Sequence, residues 1–131
     1  MADIEYDFEG FKELEAAIKR NPAYTISRAG IFITRALAEY RKVILRNPWR
    51  LGGTGGGAPV LTGNLRDTHQ TTVSGLEGRI YPTAPYAVYV HQGTRRMQAR
   101  PWLDYAKDTA DPAVRQHETE LLQDLVGNLA S

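Results

Sequence analysis

The chain has 131 residues, 24% of them charged, with a formal net charge of +1 and no cysteine. That length suits one domain with a core of its own, and the missing thiols exclude disulfides and thiolate chemistry. A charge near zero points to no particular partner, and the apolar runs are too short to span a bilayer. The first residues, from Met1 to Glu5, lack the charged-then-apolar pattern of a signal peptide, so a cytosolic product is expected.

Charge is distributed in blocks. Residues 1–20 hold six acidic and three basic side chains; residues 21–50 hold six basic ones against Glu39. Residues 51–103 add five arginines against two acids, and residues 104–131 return to six acids against two bases. Acidic ends and a basic middle can pair within one chain, or head to tail between copies.

In chain order, Phe8, Phe11, Leu14, Ala17 and Ile18 fall at helical spacing and predict a helix over 8–20, with Lys19 and Arg20 complementing its dipole. Asn21-Pro22 restarts the chain as an N-cap and first-turn proline. Ile26, Ile33, Leu37, Tyr40 and Ile44 then make the stripe of a second helix over 22–46, stopped by Asn47-Pro48. The stretch 49–60 carries five glycines and reads as a flexible loop or arm. It is not a phosphate loop, because no Lys-Ser/Thr pair opens a helix after it. Trp49 and Leu51 at its start either cover the nearby core or are ordered by a partner.

Residues 62–66 look like a turn, with Gly63 as its pivot. Residues 69–73 and 76–81 alternate as a β-hairpin around Ser74-Gly75. Residues 85–92 read as a short helix begun by Pro85 and ended by Gly93 in a left-handed cap, with a strand as the competing reading. Residues 94–99 form a loop or a third strand. Arg100-Pro101 leads into a final helical region, and Asp111-Pro112 reads as a further cap before the stripe Val114, Leu121, Leu122, Leu125 and Leu129. The whole is an α+β fold in one domain, residues 1–131: N-terminal helices and a C-terminal helix packed on a small antiparallel sheet, with the glycine-rich arm.

No catalytic set stands out. His69, His91 and His117 lack metal-site spacing, and Ser27, Ser74 and Ser131 lack a nucleophile-elbow context. No catalytic residue, metal ligand or cofactor is therefore expected. Arg28, Arg35 and Lys42 share one helix face at seven-residue spacing, which suits a surface lining DNA without reading its sequence. The strongest feature is the run from Pro85 to Thr94 followed by 99–103. Tyr86, Tyr89 and Trp102 supply aromatic anchors, either inside the domain or at its seam. His91 reads as a half-exposed interface histidine, and Arg95, Arg96 and Arg100 as clamps for a neighbour's carboxylates.

Three segments carry a family likeness. Pro59-Val60-Leu61-Thr62-Gly63-Asn64-Leu65-Arg66-Asp67-Thr68, Tyr86-Ala87-Val88-Tyr89-Val90-His91-Gln92-Gly93-Thr94, and Ala99-Arg100-Pro101-Trp102-Leu103 with Ala106 resemble the small neck and tail-completion proteins of long-tailed double-stranded DNA phages. The chain departs from their pattern with His91-Gln92 where Glu-Phe is usual, and with Tyr105 where a second proline often stands. The resemblance implies a structural virion protein forming a ring, a hexamer, at the head-proximal end of the tail. Its neighbours there would be a head-closure or connector protein and a tail terminator or tail tube protein, around a channel for double-stranded DNA. It implies no enzyme and no membrane partner. A tail terminator ring is the alternative within this class; a small nucleic-acid-binding module is the alternative outside it.

Overall fold

The computed structural model describes residues 3–6, 12–50, 53–59, 64–74, 76–95 and 98–130. In order they form β1 (Ile4–Tyr6), α1 (Lys12–Arg20), α2 (Pro22–Ile44), α3 (Asn64–Asp67), β2 (His69–Ser74), β3 (Glu77–Pro82), α4 (Ala87–Gln92) and α5 (Trp102–Ala130). The α+β arrangement is the expected one: helices at both ends of the chain and a small antiparallel sheet.

The sheet has three strands in the order β1-β3-β2, all antiparallel. The hairpin β2–β3 falls where its alternation predicts it. The third strand of this sheet is β1; no strand is assigned to the described part of 94–99, and residues 96–97 lie outside the described residues. Ile4 pairs with Ile80 and Tyr6 with Gly78, so Ile4 and Ile80 both enter the core. Three residues are too few to announce a strand by alternation; β1 exists because β3 offers it an edge.

The α1–α2 corner follows its capping residues. Asn21 sits between the helices, Pro22 opens α2, and the Thr25 hydroxyl donates to the Ala17 carbonyl at 3.0 Å. Helix α2 buries Ile33, Leu37, Tyr40 and Ile44 as its stripe predicts, while Ile26 at the other end stays exposed. It runs antiparallel to α5: Tyr24 and Arg28 meet Asp124, and Glu39 meets His117.

Helix α5 continues through Pro112, so Asp111-Pro112 caps no new helix. Proline inside a helix removes one backbone bond and costs about 3 kcal/mol. Burial on both sides offsets that cost: Trp102, Leu103, Ala106 and Ala110 precede it and Val114, Leu121 and Leu125 follow, all in one core. Residues 64–67, expected as part of a turn, form the single helical turn α3, which buries Leu65.

Of the two readings for the glycine-rich stretch, residues 53–59 form a loop folded against the domain. The Trp49 amide donates to Gly57, Gly57 to Asn47 and Ala58 to Ile44, so the loop satisfies a carbonyl that the end of α2 leaves open. Gly57 has no room for a Cβ, which would collide with the carbonyls of Val43, Ile44 and Arg46. Gly57→Ala is therefore expected to cost on the order of 1–3 kcal/mol. A lower thermal midpoint with altered Trp49 fluorescence checks this; an unchanged melt contradicts it.

Candidate interaction site

Helix α4 follows its N-cap residue Tyr86 and is stopped at Gly93, whose amide donates to the Tyr89 carbonyl at 2.7 Å. Gly93 has φ 80° and ψ 169°. This is the mirror-extended region, open in practice to glycine alone, and not the left-handed helical cap expected from sequence. The stop itself is where the sequence places it.

Six residues of helix present two faces. Ala87 and Val90 point into the core, whereas Val88 is exposed and Tyr89 is 61% exposed. Tyr86 lies between these extremes, half-buried against the core. The chain then returns, and the Arg100 amide donates to the Val90 carbonyl at 2.9 Å. Val90 and this bond hold α4 to the start of α5, so Tyr89 projects from a fixed base.

Trp102 is fully buried and does not lie at the surface. Its indole Nε1 donates to His69 Nε2 at 2.9 Å, which places the proton of a neutral His69 on Nδ1. The two rings stand edge to face at 6.0 Å, and His91 packs edge-on against Trp102 at 5.2 Å. The aromatics therefore divide: Trp102 belongs to the core and Tyr89 to the surface. His69, buried at the base of β2, is the partner that sequence reasoning missed. Nothing local marks it, because it meets Trp102 only through the fold.

Burial holds the His91 imidazole below the ordinary value of 6.5, with Asp104 opposing that shift. Its Nε2 is buried with no hydrogen-bond partner among the described residues. A group with a lowered folded pKa stabilises the fold above its unfolded value and loses that contribution as pH falls through the folded one. The thermal midpoint is expected to decline as pH drops below 6.5. His91→Gln should flatten that part of the curve. An unchanged slope in the variant would assign the decline elsewhere. The window is distinct from that of Glu39. There, burial alone would raise the carboxyl, but hydrogen bonds from His117 and Lys42 outweigh it and lower the pKa.

The three arginines expected as clamps do not act alike. Arg95 is exposed. Arg100 is only 6% exposed, so it sits within the domain rather than projecting as a surface clamp, with its amide bonded to Val90 of α4. Arg96, with Leu51 and Gly63, lies outside the described residues. Pro101 precedes α5, and its carbonyl accepts from the Tyr105 amide at 3.1 Å. Trp49 covers the core: it is buried, donates from Nε1 to the Gly53 carbonyl at 3.1 Å, and stands edge-on to Tyr105.

Arg28 and Arg35 line a recess of about 160 Å³ between α2 and α5, with Phe32, His117, Leu121 and Asp124. Arg28 pairs with Asp124 at 3.1 Å, and the Tyr24 hydroxyl donates to the same carboxylate at 3.0 Å. Lys42 pairs with Glu39 at 3.2 Å, and Glu39 meets His117 at 3.3 Å. Of the three expected DNA-facing cations, only Arg35 is without an ionic partner among the described residues. Cations already paired with carboxylates neutralise fewer phosphates and displace fewer of the DNA's counterions, so this face is a weaker DNA surface than its sequence spacing suggests. No group of histidine and carboxylate side chains among the described residues is arranged to hold a metal ion, and no described helix is long and apolar enough to cross a membrane. Compared with family models, with curated proteins and with solved structures, the chain matches none of them.

Proposed function

We propose that the chain is a structural virion protein that forms a ring in the neck of a long-tailed phage, joining capsid to tail around the DNA channel. The observation that carries this reading is Tyr89. It is a large aromatic side chain, 61% exposed, on a short helix pinned to the core through Val90. It lies in the segment that most resembles the neck and tail-completion proteins. A rigid exposed tyrosine with arginine nearby in sequence is the usual composition of an interface anchor. Arg95 would meet an exposed acid such as Asp104 or Asp108 on the α5 of the next copy.

A head-to-tail contact of this kind uses two different surfaces and closes into a ring when its rotation allows. The ring would stack between the head-closure protein and the tail terminator or tail tube, with double-stranded DNA passing through without base contacts. Cryo-electron microscopy of mature particles from the encoding phage tests the proposal. Density for this chain as a ring at the capsid–tail junction is the expected result. Its absence from that junction overturns the reading.

A further inference from the structure

Among the described residues β2 is an edge strand, paired on one side only. From Gln70 to Ser74 every residue of β2 is exposed. Natural edge strands are usually blunted by lysine, proline, a bulge or a covering element. Among the described residues β2 has none of these: His-Gln-Thr-Thr-Val-Ser contains no lysine and no proline, it pairs with β3 residue for residue, and no described strand lies on its outer side. Thr71, Thr72 and Val73 favour extended backbone besides.

The register says which groups are open. Ser74 pairs with Glu77 across the hairpin turn, followed by Thr72 with Arg79 and Gln70 with Tyr81. Bonded and non-bonded pairs alternate along an antiparallel ladder, and the pair that closes a two-residue turn is bonded. Thr71 and Val73 therefore direct their N–H and C=O groups away from β3. The His69 carbonyl belongs to the same outward set, and it accepts from Arg41 Nη2 on α2 at 3.4 Å. No backbone bond from another described element reaches Thr71 or Val73.

We infer that β2 is a pairing edge for the β2 of a second copy, antiparallel about a two-fold axis at Thr72. Thr71 then lies opposite Val73 of the second copy, and Val73 opposite its Thr71. Both pairs are of the bonded type, so the open groups on the two edges satisfy one another. Val73 is 44% exposed on the same side of the sheet as Ile80 and Gly78, and the second strand would cover it.

Charge selects this occupant. The strand itself carries no ionised side chain, and Arg79 across β3 is paired with Asp3 at 2.6 Å and lies over the Tyr81 ring. Arg41 sits at the His69 end of the edge, and the two-fold axis at Thr72 puts it at the opposite end of the strand pair from its counterpart in the second copy. Two copies thus meet without like-charge repulsion. One strand pair buries less than the ~1,200 Å² of a standard stable interface, so the dimer is weak and concentration-dependent. The contact is two-fold and uses neither Tyr89 nor Arg95. It stands independently of the neck reading and, if both hold, would pair rings or subunits back to back.

The experiment is sedimentation equilibrium on the full chain in a Tyr89→Ala, Arg95→Glu background, which removes the proposed ring contact. A monomer–dimer equilibrium is expected. Thr72→Lys and Thr72→Glu should each weaken it at least tenfold, and an equimolar mixture of the two should restore dimers. Thr71→Pro should also abolish association while leaving the circular dichroism spectrum unchanged, because the amide it removes faces away from β3. The inference is overturned by a chain that stays monomeric up to its solubility limit, by a mixture that fails to dimerise, or by a dimer that survives Thr71→Pro.

Discussion

Replacing Trp102 with alanine is expected to destabilise the domain by about 3–5 kcal/mol, the usual cost of emptying a large buried aromatic site. Total stabilities of single domains run to about 5–15 kcal/mol, so a thermal midpoint lower by ten degrees or more should follow. Two effects combine. The void would open at the first turn of α5, where Trp102 is fully enclosed. The His69 Nε2 acceptor would also lose its indole donor, and a buried acceptor left unmatched costs about 1–3 kcal/mol by itself. Trp102→Phe helps to separate the two, since it loses the N–H in full but only part of the buried ring volume. Urea denaturation of both variants checks the pair. A Trp102→Ala protein as stable as the parent would mean that the indole is not the structural centre it is taken for here.

The same side chain shows how far local pattern reaches. Helices α1 and α2 and the hairpin were legible because their signals are local: apolar spacing, an Asn-Pro restart, and alternation around a small turn. The end of α4 was legible because a glycine there restricts few alternatives. Strand β1 was not, since its partner β3 lies more than seventy residues away and three residues carry no period. Nor was the continuity of α5 across Pro112, where burial on both sides overrides a strong local stop signal. At the candidate site, sequence placed Tyr86, Tyr89 and Trp102 in one group. The fold separates them: Tyr89 faces solvent from α4, Tyr86 is half-buried against the core, and Trp102 is enclosed at the first turn of α5, a position that no local pattern in the sequence marks.

Charge behaves similarly. Acidic ends and a basic middle suggested pairing within the chain or between copies. Part of the charge is used internally: Asp124 holds Arg28 across the α2–α5 seam, and Asp3 holds Arg79 across the sheet. Exposed pairs of this kind contribute little to stability, typically ~0–1 kcal/mol each. Their consequence is to reduce the free charge on the helical face and to leave Arg95, at the end of the α4 segment, as an exposed cation near the proposed contact.

Tyr89→Ala combined with Arg95→Glu should therefore leave the isolated domain nearly untouched and disable assembly. Surface substitutions away from caps and cores usually change stability by less than about 0.5 kcal/mol, and neither side chain contributes to the core. Truncating an interface tyrosine at a hot spot costs about 2 kcal/mol or more, roughly thirtyfold in affinity. Reversing Arg95 places like charges together wherever it meets an acid on the next copy, and in a cyclic assembly the penalty recurs at every seam. Particles made with this variant should yield separate heads and tails, while the purified variant melts within about two degrees of the parent. Joined particles at normal yield would remove α4 from the contact. A large drop in melting temperature would instead mean that Tyr89 supports the fold, and its exposure would then no longer argue for a partner.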